Sequence, residues 1–132
     1  MTFDYSNLSS GQSISTRTFR LDSEVVRQYV AAVSDGVPEE GHTNVPPMCL
    51  AAMSLRGVID DLQIPGGTVH AGQELQFLAE VEMGEELICE AVLAQNSVRG
   101  EWRFLVVELE TRDSAARAVL SGKSTIMLPE SA

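Results

Sequence analysis

Basic residues are scarce in this 132-residue chain: nine Lys and Arg stand against nineteen Asp and Glu, a formal net charge of -10. That deficit argues against a nucleic-acid binder, which needs a basic face to displace counterions from phosphates. It argues equally against an anionic membrane surface. An anionic ligand would need a local exception, supplied by Arg17, Arg20, Arg99, Arg103 or Lys123. Cysteine is scarce too. Cys49 and Cys89 lack metal-ligand spacing and are too few for a disulfide framework. A reduced, cytoplasmic protein is therefore expected. With two histidines and no Cys cluster, no metal site is expected, and no cofactor motif is present. Aromatics make up only 5% of the chain, so the core must be aliphatic. The first residues lack the basic and apolar regions of a signal peptide. No apolar run is long enough for a membrane span.

At this length the chain reads as one domain over residues 1–132, with residues 1–12 as a loose polar arm that Phe3, Tyr5 and Leu8 could anchor on a neighbour. The segment from Val45 to Leu62 organises the rest. Pro46 and Pro47 suit the start of a helix, where a missing N–H costs nothing. Leu50, Met53, Leu55, Val58, Ile59 and Leu62 follow at helical spacing. Ala51, Ala52, Ser54 and Gly57 are small enough to let strands approach closely. Charge enters only at Arg56, Asp60 and Asp61, so the helix is expected to be buried on most sides.

Around it the pattern is mostly β. Ser13–Leu21 reads as a strand. Asp22 and Ser23 then offer a cap for a short helix with Val25, Val26, Tyr29, Val30 and Val33 on one stripe. Residues 35–47 form a breaker-dense loop holding Asp35, Glu39, Glu40 and His42, and this ionisable loop runs straight into the long helix. After a turn at Ile64–Gly67, an antiparallel meander is expected. Its strands are 68–81, with Val69, Leu75, Phe77, Ala79 and Val81 facing one way, then 87–94, 97–111 and 118–128. The third of these is apolar on both faces: Trp102, Phe104 and Val106 on one, Leu105, Val107 and Leu109 on the other. One face covers the helix and the other calls for a second chain. The architecture expected is α+β: a hot-dog fold, a curved antiparallel sheet wrapped around one long central helix.

Three stretches carry a family resemblance: Tyr29-Val-Ala-Ala-Val-Ser-Asp-Gly-Val-Pro38, Val45-Pro-Pro-Met-Cys-Leu50, and Gly67-Thr-Val-His-Ala-Gly-Gln-Glu-Leu-Gln-Phe77 with Val81-Glu-Met-Gly-Glu-Glu-Leu87. Over roughly residues 15–129 the chain resembles the MaoC-like hot-dog family of R-specific enoyl-CoA hydratases and 3-hydroxyacyl dehydratases. It is most similar to the dehydratase N-terminal type of hot-dog unit. The resemblance implies reversible addition of water to a 2-enoyl thioester carried on coenzyme A or an acyl carrier protein, by a homodimer or a heterodimer with another hot-dog chain. It implies that a loop Asp and His act on the water and the α-carbon, while a helix N-terminal N–H stabilises the enolate-like oxygen.

Asp35 falls on the Asp of the family's Asp-x-Asn-Pro-x-His loop and Pro38 on its proline. Val37 replaces the Asn, Glu40 replaces the His, and His42 lies two residues further on. Pro47 stands where catalytic members carry a Gly, which leaves the Met48 N–H to serve. His70 opens a strand beside the helix and is a second candidate base, with Gln73 three residues beyond. Three readings stay open. Asp35 with His42, Glu40 or His70 forms a displaced acid/base pair. Alternatively, the chain is the non-catalytic substrate-tunnel subunit of a heteromeric dehydratase. Or the fold serves natural-product chemistry, a cyclisation or thioester hydrolysis. Ser54 and Cys49, inside the helix with no adjacent base, are expected to be packing groups and not nucleophiles.

Overall fold

A computed structural model describes residues 4–33 and 45–130. They form a five-stranded antiparallel sheet with two helices. The elements in chain order are β1 (Ser13–Arg20), α1 (Ser23–Val33), α2 (Pro47–Asp61), β2 (Val69–Phe77), β3 (Glu86–Arg99), β4 (Trp102–Arg112) and β5 (Ala118–Pro129). The spatial order is β1-β3-β4-β5-β2, so β1 and β2 are the two edges. The sheet curves around α2, which packs chiefly on β1, β3 and β4.

Local chemistry sets the boundaries. The Val25 N–H donates to Asp22 Oδ1 at 3.0 Å, the expected cap of α1. Pro46 and Pro47 open α2, and the Pro46 carbonyl accepts from the Cys49 and Leu50 N–H groups. The turn between β4 and β5 is built on Asp113, whose Oδ1 accepts from the Ala115 and Arg117 N–H groups and whose Oδ2 accepts from Arg117 Nε. These bonds hold its carboxyl below the usual carboxylate range, the Arg117 N–H contributing most.

The core lies between α2 and the inner sheet face. Leu55, Val58 and Leu62 pack with Leu93, Leu105, Val107, Leu109, Ile126 and Leu128 in one cluster. Cys49, Leu50 and Ala51, nearer the start of α2, pack with Leu21, Val26, Val45, Val81, Leu87 and Leu120 in another. Between the two clusters, Ser54 Oγ and Thr111 Oγ1 share a hydrogen bond of 2.8 Å, so both buried hydroxyls are satisfied. Gly57 is where the helix comes closest to β1: a Cβ there would lie 2.9 Å from Arg17 Cγ and 3.2 Å from Ser15 Oγ.

Four expectations need correction. Residues 4–12 are not a loose arm. The Tyr5 hydroxyl donates to the Leu62 and Gln63 carbonyls, Asn96 Nδ2 donates to the Tyr5 and Leu8 carbonyls, and the Gly11 N–H donates to the Leu93 carbonyl. Polar composition concealed a segment tied by long-range hydrogen bonds to the end of α2 and to β3. Second, 97–111 is not one strand. Gly100, at φ +61°, turns the chain, so Ser97–Arg99 finish β3 and β4 starts at Trp102. Third, the strand from Val69 stops at Phe77; the register shift between His70 and Gly72 puts Val69 on the outer face, opposite Leu75 and Phe77, and inner-facing Phe77 and the following Leu78 are exposed. Fourth, α2 is buried on most sides but its cover is incomplete: Met48, Ala52, Arg56 and Ile59, spaced as one helical stripe, are exposed. The last two have one cause. The helix lies over the β1-β3-β4 half of the sheet, so no described element covers β2 or the far side of α2.

Candidate functional site

The described site residues lie on two elements. Pro47 and Met48 form the first turn of α2, and Met48 is half exposed at 50%. His70 and Gln73 are exposed on β2. Asp35, Glu40 and His42 lie outside the described residues. The residues on either side of that stretch are described. Upstream, α1 ends at exposed Val33. Downstream, Val45 is buried and its N–H donates to the Val81 carbonyl at 2.7 Å. That bond ties the chain entering α2 to the segment after β2.

The α2 N-terminus has the electrostatics of an anion-stabilising site. A helix N-terminus carries roughly half a positive charge and N–H groups with no partner inside the helix. Pro47 has no N–H, and Cys49 and Leu50 already donate to the Pro46 carbonyl. The Met48 N–H is therefore the first donor the helix can offer outward. No acidic side chain sits in this first turn to compete for it.

On β2, alternation places Gln73 on the inner face, in register with Ser124 of β5. The register shifts between His70 and Gly72, a β-bulge against Ile126 and Thr125. Bulges re-aim side chains and bend strands, and they recur beside functional sites. β2 bonds only to β5 among the described residues, so its other edge is open.

Other candidates take structural roles. Cys49 and Cys89 are buried at 0% and 4% exposure, and desolvation pushes both thiols up, away from the reactive thiolate. Ser54 is held by Thr111. Most of the basic residues that could meet an anionic carrier are engaged. Arg17 pairs with Asp61, Arg20 with Glu86 and Arg103 with Glu130, while Arg99 lies over the Phe104 ring. Lys123 lies in register between Glu74 and Glu108. A cavity of about 540 Å³ is lined by Glu74, Glu90, Glu108 and Glu110 around Lys123. Alternation puts these carboxylates on the outer face of the sheet, away from α2, and their charge would repel a phosphorylated carrier. The α2 N-terminus, with no carboxylate in its first turn, is the better candidate for such a ligand. Among the described residues, no group of His, Cys, Asp and Glu could hold a metal ion.

Comparison with solved structures decides the fold. A MaoC-like dehydratase from Rhodospirillum rubrum superposes with a TM-score of 0.75 at 16% identity, covering 96% of this chain and 97% of that one. The (R)-hydratase of A. caviae involved in PHA biosynthesis gives 0.75 at 19% identity, covering 93% and 98%. The HadBC 3R-hydroxyacyl-ACP dehydratase complex of Mycobacterium tuberculosis gives 0.71 at 17%, covering 89% and 96%. The chain has the hot-dog fold. Neither a protein-family model nor a curated protein sequence matches it. In this hot-dog chain the central helix, its N-terminus and the strand that follows it hold all of the described candidate residues. No helix among the described residues is long and apolar enough to cross a membrane.

Proposed function

We propose that this chain acts in the reversible hydration of a 2-enoyl thioester, or dehydration of the 3-hydroxyacyl thioester, with the acyl group on coenzyme A or an acyl carrier protein. The observation that carries this reading is the near full-length structural likeness to R-hydratases and a 3-hydroxyacyl dehydratase. The α2 N-terminus supports it. In the proposed reaction, negative charge grows on the thioester oxygen as the α-carbon gains or loses a proton. The Met48 N–H, backed by the helix dipole, stabilises that charge as it develops. Pro47 fixes the first turn. Asp35 orients and activates the water, and His42 or His70 moves the proton, since imidazole is the side chain that titrates near neutrality. Glu40 stands in the loop as a second carboxylate, and Gln73 contacts the acyl chain.

In this proposal the working unit is a dimer. The open edge of β2 and the exposed face of α2 are what a second chain would cover. A second reading makes that chain a different hot-dog protein and this one its substrate-tunnel subunit. Two observations favour it: the likeness to the HadBC complex and the replacement of the loop's Asn and His by Val37 and Glu40.

The test is hydration of crotonyl-CoA and longer 2-enoyl-CoA esters, by the protein alone and mixed with a hot-dog chain carrying an intact loop. Activity of the protein alone, lowered about 10²-fold or more by Asp35→Asn, is the expected result. His42→Ala and His70→Ala then identify the base. Activity only in the mixture, indifferent to Asp35→Asn, would move the conclusion to the tunnel subunit. Inactivity in both removes the thioester reading.

A further inference from the structure

The outer face of the sheet, turned away from α2, keeps apolar side chains partly in water, and charge divides it along the strands. Alternation turns Trp102, Phe104 and Val106 of β4 outward, and Met127 of β5 lies in register beside Phe104. All four are only half-buried. Arg99 of β3 lies opposite Trp102 and over the Phe104 ring, so this apolar end carries a cation. Further along β4 the outward positions are Glu108 and Glu110, with Glu90 of β3 opposite Glu110 and Lys123 of β5 opposite Glu108. That end is acidic. Seven of the nine Lys and Arg residues pair with carboxylates of their own chain. Arg99 and Lys123 make no ion pair among the described residues, and both stand on this face. Glu90 and Glu108, on the same face, make none either. The outer face therefore holds charges of both signs that the chain's own packing does not use.

Their spacing selects the occupant. The β-bulge between Leu93 and Gln95 sets Gln95 opposite Val106, Arg99 opposite Trp102 and Glu90 opposite Glu110. Arg99 and Glu90 thus stand at equal distances from the Val106 level, four positions of β4 to either side, about 13 Å at the rise of a strand. A two-fold axis lying along this face, across the strands at Val106, carries Arg99 of one copy over Glu90 of the other. We propose that the outer face binds a second copy of this chain, sheet against sheet with the strands reversed. Arg99 of each copy pairs with Glu90 of the other, and Val106 packs on its own counterpart at the centre. Such an interface is self-complementary, so the ion pair forms twice. Sheets packed face to face lie about 10 Å apart, a gap that long side chains from both sides fill. The net charge of -10 keeps copies apart over the rest of the surface. A face with its own unspent cations is where they can meet. This face is separate from the β2 edge and the exposed stripe of α2, so together with the dimer above it makes an assembly of four chains.

The experiment reads mass by light scattering at micromolar concentration and low salt, where exposed charges are least screened. It compares wild type, Arg99→Glu, Glu90→Arg and the double exchange of the two. Each single exchange sets like charges against each other twice across the interface and is expected to halve the wild-type mass. The double exchange restores opposite charges and is expected to recover that mass. Arg99 and Glu90 are both exposed, so circular dichroism and melting should be those of wild type. Val106→Lys, which sets a cation against its own counterpart at the centre, is expected to halve the mass as well. Single exchanges that keep the wild-type mass overturn the proposal, and a monomeric wild type does so by the same reading. A double exchange that stays at half mass overturns the pairing of Arg99 with Glu90. A wild-type mass for folded Val106→Lys overturns the face itself as the contact and leaves it to a partner of another kind. None of these readings involves a thioester, so the hydratase proposal stands or falls separately.

Discussion

Strands β4 and β2 belong to one sheet, yet they have opposite fates. On β4, Leu105, Val107 and Leu109 are exposed by 0%, 0% and 3%. On the same face of β2, Phe77 is exposed by 41% and Gln73 is exposed as well, and no residue of the strand is fully buried. The difference is the position of α2, which sits over β1, β3 and β4. One half of the sheet holds the fold together. The other half, with the exposed face of α2, remains available for a ligand or a second chain. The candidate residues His70 and Gln73 fall on the available half.

The largest expected effect tests the covered half. Leu105→Ala should cost about 2–5 kcal/mol in urea melts, the range for a large-to-small change in a packed core. A loss under about 0.5 kcal/mol, the scale of surface changes, would remove the distinction between the halves. Next is the close contact of α2 with β1. Alanine is the better helix former, yet Gly57→Ala should destabilise by about 1 kcal/mol, because the new methyl would crowd the Arg17 and Ser15 side chains. Adding Arg17→Ala should recover much of that loss, and a double-mutant cycle with no coupling would refute the contact.

Smaller still is an acid effect on the covered half. Hydrogen bonds from Arg17 and Ser15 hold Asp61 below the usual carboxylate range. A depressed folded pKa adds stability above the unfolded value, near pH 4, and that stability is lost as pH falls through the folded one. The gap in melting temperature between wild type and Asp61→Asn should therefore be present at pH 7 and shrink toward pH 2. An unchanged gap would mean that the pair does not couple to folding. The smallest energetic change is expected on the open half: Val69→Lys with Phe77→Lys should alter the stability of the monomer by no more than about 0.5 kcal/mol. The same pair should halve the mass seen by light scattering, because charges on an exposed edge block strand pairing. A wild type that is already monomeric at micromolar concentration would sink the proposed dimer.

Much of this was legible in the residues. Pro46 and Pro47 followed by apolar residues at helical spacing gave α2 nearly to the residue, and Asp22 marked the cap of α1. The two apolar faces of β4 were evident from alternation, and Leu105, Val107 and Leu109 do form the covered one. The hairpin at Gly100 was hidden because a lone Gly between two strand-like runs looks like an interruption of one strand. The arm around Tyr5 was hidden because its anchors, the Leu62 and Gln63 carbonyls and the Asn96 side chain, are 57 residues or more away in the chain. Of the candidate site, Pro47, Met48, His70 and Gln73 were named from the sequence. The placement of Arg99 and Glu90 at equal distances from Val106 was not, because the bulge between Leu93 and Gln95 that sets it leaves no mark in the sequence.

The sequence by itself determined the kind and order of the elements, since helical spacing, strand alternation and turn chemistry are local properties. It determined the acidic, aliphatic character as well. Only the tertiary structure decided which apolar faces are covered. Period-two alternation tells which residues share a face, and the placement of α2 across the sheet then decides which of those faces lose water. That placement depends on close approach at Gly57 and on long-range packing, neither of which leaves a periodic mark in the chain. The same placement leaves β2 open and one stripe of α2 uncovered.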